Sequence, residues 1–439
     1  MNEKENVLIQ VSRIDFWSFC CYYDFDFFRV KRPFLNVIAL SLQDIYDRII
    51  ITLSVSMPPR AGKSYIISLF LAWVIGKEPD ESMMRNSCTS TLYRKFSYDV
   101  RDIVKSQKFK NVFPDVTLSI DKSSVDGWNV KQAKQVSYFG NGVGGTIIGF
   151  GASRIAATDD LYRGHEDAFS PTINERVHNW YNSAHKSRVE SGCAVIDIGT
   201  RWSKKDIIGV NTSNGFYERS IVVPALINGK SFCEDVKTTK EYLKLKSETS
   251  EIIWNSEYMQ EPVELKGSLF AFSKLNRYKT LNDEGASICY IDTADEGKDH
   301  FAGLFGKLLG DKFYVTDAIF NTHNLTINEP VCKERFERHE VDRVYIESNS
   351  FGAYFARNLR DQNPSRFIVG DLAKSNKMGR IISQSGPILQ RFVWPENPNN
   401  ELSMFMNQMS DITPDSKDND DAADCTAGLS ARIRRDYFV

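Results

Sequence analysis

Two rhythms run along this chain: short apolar runs ending in polar or acidic residues, and longer stretches with helical spacing. A run rich in apolar and β-branched residues from Ile49 to Val55 predicts a buried strand. The turn Pro58-Pro59 closes it, and Tyr65 to Ile75 then has helical length with no internal Pro or Gly. Met83 to Thr91 predicts a short second strand, Tyr93 to Lys105 an amphipathic helix, and Arg154 to Asp160 a strand ending in paired acids. Ser170 to Val189 suits a long helix, and Cys193 to Gly199 is another buried strand. Strand–helix alternation of this kind argues for a parallel sheet with helices on both faces. Gly140 to Gly151 is the most glycine-dense stretch and predicts a hairpin or loop.

Beyond Tyr258–Gly267, a polar stretch with Pro262 and Gly267, the pattern changes. Ser287 to Asp292 and Asp342 to Glu347 predict strands that each end in an acid. Between them, Phe301 to Gly310 and Lys312 to Phe320 pair across a turn at Gly310-Asp311. An acid-rich run, including Asp420, Asp421 and Asp424, opens a small-residue helix from Ala422 to Ser430. At the other end, residues 1 to 48 carry Phe16, Trp17, Phe19, Tyr22, Tyr23, Phe25, Phe27 and Phe28. So many rings require burial, which predicts helices packed on the first half; the other use for such a surface is to dock a partner or an adenine ring.

Composition narrows the class. A chain of 439 residues predicts two domains, and 42% hydrophobic with 26% charged residues is the balance of a folded soluble protein. Lys and Arg (55) are matched by Asp and Glu (57), so a nucleic-acid partner must meet local patches and not a global positive field. Lys374, Lys377, Arg380 and Arg391 offer one such patch. Eight scattered cysteines with no C-x-x-C pair fit a reduced protein, not a disulfide framework or a zinc site. No apolar run reaches membrane-spanning length and the polar N-terminus does not read as a signal peptide, so the expectation is an intracellular protein with no membrane partner.

The chemistry concentrates where strands end. Strand, loop, Gly62-Lys63-Ser64 and helix form the layout of a phosphate-binding loop, although Met57 stands where the usual first glycine would be. Backbone N–H groups and the helix N-terminus hold phosphates in such a loop, with the Lys63 charge near the β/γ-phosphates and the Ser64 hydroxyl on Mg²⁺. Pro59, Arg60, Ala61, Gly62, Lys63 and Ser64 are therefore expected around ATP, with Thr200 at a neighbouring strand tip placed to sense the γ-phosphate. Asp159 is the expected Mg²⁺ partner, and Asp160 the adjacent acid that polarises the attacking water. In the second half, Asp292, Glu347 and an acid from the last helix supply hard oxygen ligands for two Mg²⁺ or Mn²⁺ ions that would support displacement at phosphorus. On a helix Asp421 and Asp424 share a face while Asp420 points away, which ranks Asp421 first and Asp424 second.

The ordered set of motifs resembles the large terminase subunit of tailed bacteriophages. It runs from Pro58-Pro59-Arg60-x-Gly62-Lys63-Ser64 through Gly145-Thr-x-x-Gly149-x-Gly151 and Asp159-Asp160 to Trp180-Tyr181 before Ser187-Arg188. Gly199-Thr-Arg-Trp202 with Asp206 and Gln260-x-Pro262 follow, then Asp292-x-Ala294, Tyr345-x-Glu347-x-Asn349-x-x-Gly352 and Asp420-Asp421-x-x-Asp424. The resemblance implies an α/β protein in two parts: a P-loop NTPase over residues 1–258, a linker at 259–268 and a ribonuclease H-like nuclease over 269–439. It implies an ATPase and metal-dependent endonuclease that packages double-stranded DNA into a procapsid. Its partners would be a portal protein, a small terminase subunit and further copies in a ring. Its place would be the host cytoplasm, and not the mature virion. Thr200-Arg201-Trp202 would be the coupling segment. The chain departs from the family where Leu161 follows the acid pair, which leaves Asp160 and Glu166 as candidate bases. Phe150 stands where an Arg is frequent, which leaves Arg60, Arg154 and Arg163 to complete the ATP site, and Asn419 stands where a His often precedes the acids. The competing reading is a helicase-like NTPase whose second half only binds nucleic acid.

Overall fold

The computed structural model describes residues 3–147, 149–263, 267–281, 284–293, 299–348, 352–371, 376–414, 416 and 420–437, with backbone alone for 3 and 120–123. Lys374, Ala294, Asn349 and Asn419 lie outside the described residues. The chain forms two compact α/β units. One comprises Met1–Lys244 with Trp254–Val263, the other Leu245–Ile253 with Glu264–Val439.

The first unit is built on a sheet of eight strands whose parallel core runs Met83–Ser87, Ile155–Asp159, Ala194–Gly199, Thr52–Ser56 and Arg219–Val222. The central strands are buried on both faces, which explains their near-continuous apolar reading in sequence. Thr52–Ser56 pairs in parallel with Ala194–Gly199, setting Ser56 opposite Gly199, and Ile155–Asp159 lies on the far side of that strand. The tips carrying Met57, Asp159 and Thr200 therefore emerge at one edge of the sheet, the C-terminal edge, where open α/β sheets place ligands. Leu118–Ser124 and Gly127–Val130 add an antiparallel margin, next to Tyr138–Phe139.

Helix Lys63–Lys77 starts at Gly62, whose φ of 107° turns the loop into the helix. Its residues from Ile66 to Ile75 are buried all round, because the aromatic N-terminal helices cover the side away from the sheet. Phe16 packs edge-on to Phe70 at 5.1 Å, Tyr46 meets Trp73 at 4.7 Å, and the Trp73 indole N–H donates to Ser12 O at 2.9 Å. Each fully buried apolar side chain of this kind contributes about 1.5–3 kcal/mol, so the N-terminal helices are part of the core.

The second unit holds a seven-stranded sheet. Lys312–Asn321, Phe301–Leu309 and Ala286–Asp292 form an antiparallel run, followed in parallel by Arg343–Glu347 and Phe367–Asp371; Phe392–Pro395 and Asn276–Tyr278 extend the other edge. The antiparallel three with two parallel strands beyond the first are the order of a ribonuclease H-like fold, as expected. Helix Asp421–Tyr437 lies across Ala286–Asp292 and Phe301–Leu309. The approach needs Gly428: a Cβ there would meet the Tyr290 ring at 2.4 Å.

Candidate active sites

In the first unit the loop after Thr52–Ser56 has an unusual backbone. Arg60 adopts φ 67° and Gly62 φ 107°, and the loop ends at the N-terminus of helix Lys63–Lys77. Amide groups gathered at a helix start make an anion site. The buried Lys63 ammonium donates to Thr200 Oγ1 at 2.7 Å and lies 3.4 Å from Asp160 Oδ2. Asp160 is itself held: its Oδ1 accepts the Thr200 N–H at 2.9 Å, and its φ of 51° is a left-handed conformation rare for a residue with a Cβ. Burial raises the Asp160 carboxyl above its ordinary range and Asp159 adds to the rise, while Lys63 and the Thr200 N–H pull it back. Ser64 Oγ donates to Asp159 Oδ1 at 3.2 Å, which puts a hydroxyl and a carboxylate side by side as hard oxygen donors.

Over the loop opens a cavity of about 720 Å³, lined among others by Tyr23, Phe27, Lys63, Ser64, Asp99 and Asp160. Pro59 and Arg60 also border it; Ala61 is buried behind. The N-terminal aromatics thus divide, since Phe16 and Phe19 are core while Tyr23 and Phe27 form a wall of the cavity. Thr200-Arg201-Trp202 leaves the neighbouring strand as expected. The Arg201 amide donates to Gln260 Oε1 at 3.0 Å and the Arg201 guanidinium pairs with Asp206 at 3.1 Å.

Other candidates lie elsewhere. Glu166 is exposed on the short helix His165–Phe169, so Asp160 is the acid that meets Lys63 and Thr200. Arg154 precedes the strand that ends in Asp159 and pairs with Glu78 at 2.6 Å, at the opposite edge of the sheet from the loop. Arg163 pairs with Asp167 at 2.8 Å, and Arg60 is the candidate that borders the cavity. Sequence reasoning missed Arg85. Fully buried under the Phe96 ring at 3.8 Å, it donates to Asp159, to Ser68 Oγ at 2.8 Å and to Ser64 O at 3.1 Å. Its only signal was a lone cation inside a predicted strand, which demands a buried anion.

In the second unit Asp292, Glu347 and Asp424 converge, each offering one oxygen within 4.8 Å of the others, and all three are buried. Asp292 and Glu347 end adjacent parallel strands, and Asp424 sits one turn into the last helix. Gly352 packs closely on the end of the strand that carries Glu347, because a Cβ there would lie 2.0 Å from the Glu347 carbonyl oxygen. Burial pushes the Asp292 carboxyl well above its ordinary range, Glu347 and Asp424 add to it, and Lys377 and Arg380 oppose it. Three crowded carboxylates with hard oxygens fit a divalent ion such as Mg²⁺ or Mn²⁺.

The order of the last-helix acids is the reverse of the expectation. Asp424 joins the cluster, whereas Asp421 Oδ2 accepts the His300 N–H at 2.9 Å with the His300 ring 3.5 Å away. Asp420 is half-buried and faces Lys377 at 3.4 Å. Of the expected basic patch, Lys377 and Arg380 lie at the acid cluster itself. Arg380 donates to Asp424 and Glu347, and Lys377 lies 3.6 Å from Asp421, because a spacing of three residues sets both on the helix face turned to the acids. Sequence reasoning also missed His300, which stacks on Phe320 at 4.4 Å beside Asp421.

No protein-family model and no curated protein matches the sequence. Among solved structures, the fold is similar to the large terminase of a thermophilic bacteriophage, with a TM-score of 0.55 and 10% identity over 89% of this chain and 95% of that one. The same phage protein in complex with ATP-gamma-S gives a TM-score of 0.54 at 10% identity, over 88% and 94% of the two chains. Its complex with ADP gives 0.53 at 10% identity over 89% and 95%. The likeness spans both units, so the two-part fold expected from the motifs is that of a large terminase.

Proposed function

We propose that this chain is the motor and nuclease subunit of a viral DNA-packaging machine. ATP hydrolysis in the first unit would drive double-stranded DNA into a procapsid, and the second unit would cut concatemeric DNA at the acid cluster. The observation that carries the reading is the presence on one chain of a Lys63 loop facing Asp159, Asp160 and Thr200 and, separately, of three converging carboxylates. The thermophilic phage's large terminase, similar in fold over nearly its whole length, is a protein described with ATP-gamma-S and with ADP.

In this reading phosphates lie on the loop amides, and Lys63 leaves Thr200 and Asp160 to meet the β/γ charge. Asp160, freed of Lys63 and still held by the Thr200 N–H, orients the attacking water. Ser64 and Asp159 would hold Mg²⁺, which spreads the phosphate charge. In the second unit Asp292, Glu347 and Asp424 would hold Mg²⁺ or Mn²⁺, which supplies charge stabilisation at a DNA phosphate and acidifies water. Asp421, through the His300 N–H, fixes the start of the last helix and offers a further oxygen. Portal protein, small terminase subunit and a ring of copies on the procapsid are the partners that fit, with the host cytoplasm as the place of action.

The test joins ATP turnover with cleavage of plasmid DNA by the full chain, with Mn²⁺ or Mg²⁺ and with or without EDTA. Both activities are expected, and cleavage should vanish with EDTA. ATP turnover without metal-dependent cleavage would sink the nuclease half and leave a DNA-binding NTPase.

A further inference from the structure

Among the described residues Arg380 is the guanidinium that contacts the acid cluster, and the motif pattern did not anticipate those contacts. It is buried and belongs to helix Lys377–Arg391, whose first turn is fixed by Asn376 Oδ1 accepting the Gly379 N–H at 3.1 Å. Its Nε donates to Asp424 Oδ1 at 2.7 Å and its Nη2 to Oδ2 at 2.5 Å, a two-pronged fork on one carboxylate. The same Nη2 lies 3.3 Å from Glu347 Oε2. Two of the three converging acids therefore already share a cation held in a planar, rigid geometry. Among the described residues Asp292, the third, makes no ion pair. Lys377 differs in kind: its ammonium lies 3.4, 3.6 and 3.9 Å from Asp420, Asp421 and Asp424, and its side chain is 44% exposed. A flexible lysine can swing to solvent, while the buried fork cannot leave without stranding its charge.

We propose that Arg380 acts as a built-in second cation of the cluster, so that the chain binds one divalent ion tightly and a second only by displacing the guanidinium from Asp424. This rests on the divalent-ion reading above and deepens it. Charge arithmetic points the same way. Asp292, Glu347 and Asp424 bring three negative charges and Arg380 one positive, leaving two, which a single divalent ion balances. With the neighbouring Asp420, Asp421 and Lys377 counted as well, a second ion would meet only one remaining negative charge and would compete with the guanidinium for Asp424. Breaking even one charge-assisted hydrogen bond weakens binding roughly tenfold to a hundredfold. The arrangement also names what can release the second position: a DNA phosphate, which accepts the same two-pronged contact from an arginine as Asp424 does.

Mn²⁺ titration of the full chain without nucleotide, read by electron paramagnetic resonance of free Mn²⁺ and by thermal unfolding, tests this. The wild-type protein is expected to take one Mn²⁺ tightly and a second at least about tenfold more weakly. Asp292→Asn should lose the tight ion. Arg380→Gln should bring the second ion to within about tenfold of the first, whereas Arg380→Lys, which keeps the charge, should stay closer to wild type. Two ions of equal affinity in the wild-type protein would overturn the inference while leaving the metal reading intact, and that measurement needs no folded variant. Binding that survives Asp292→Asn unchanged, or no binding, would remove the metal reading and this inference together.

Discussion

In the first unit each strand-tip acid meets its own cation: Asp159 meets Arg85 beneath the loop, and Asp160 meets Lys63 above it. In the second unit Asp424 and Glu347 share Arg380, and Asp292 stands in the cluster with no ion pair among the described residues. Both sites crowd carboxylates at the ends of parallel strands. They differ in how movable the compensating charge is. Lys63 is a point charge on a long stem and can follow an arriving phosphate, so the first site is arranged for exchange. Arg380 is a fixed fork, so the second site is arranged to hold its charge pattern until something stronger competes.

The largest expected effect tests whether the sites are independent. Lys63→Ala should slow ATP turnover by roughly a hundred- to a thousandfold with plasmid cleavage unchanged, and Asp292→Asn should do the reverse by a similar factor. Loss of both activities from either substitution would mean that the sites do not act separately. Next in size is Arg85→Met. It leaves Asp159 buried and uncompensated, and should cost about 3–5 kcal/mol in chemical denaturation. A cost under about 1 kcal/mol would show that Asp159 does not depend on Arg85.

A third prediction concerns pH and separates the first unit from the second. His185 is fully buried, with Nδ1 beside Asn86 Nδ2 at 2.9 Å and its ring stacked on Tyr181, and burial pushes its pKa down to about 4. The folded state keeps it neutral, while the unfolded chain takes up a proton near pH 6.5. Stability is thus fully present above about pH 6.5 and declines by roughly 3 kcal/mol as pH falls towards 4. His185→Gln should flatten that decline; an unchanged slope would place the acid sensitivity elsewhere. The smallest effect is expected from Thr200→Ala, which removes one hydrogen bond to Lys63, about 1 kcal/mol, and leaves ATP binding within a fewfold of normal. DNA moved per ATP is what should fall. An unaltered ratio would reduce Thr200 to a resting place for Lys63.

Much of this architecture was legible because apolar runs end where the sheets end. Ile49 to Val55 located the strand Thr52–Ser56, and the turn at Gly310-Asp311 located the hairpin. Leu118–Ser124 was not legible, since only Leu118 and Ile120 are apolar in a margin strand that continues as Asp, Lys, Ser and Ser, too short an alternation to detect. Nor was Arg85, whose meaning depends on the acid that the fold brings beneath it. The choice between Asp421 and Asp424 shows the limit most clearly. Helical spacing puts both on one face, but which one enters the cluster depends on how the helix docks, and that follows from Gly428 seated on the Tyr290 ring.

The peptide joining Thr200 to Arg201 has one further consequence. Its Thr200 end carries the hydroxyl that holds Lys63, and its Arg201 end carries the N–H that Gln260 accepts, two residues before Pro262. The peptide unit between them is planar and stiff, so in the backbone only the Thr200 ψ lies between the two ends, with the side-chain torsions of Thr200 and Gln260 beyond it. Gln260 waits there at φ 60°, a conformation a side-chain-bearing residue holds only under constraint. In mechanical terms this is a short linkage: few joints separate the lysine's partner from residue 260, so a shift of Lys63 would have few places to dissipate before it reached Gln260.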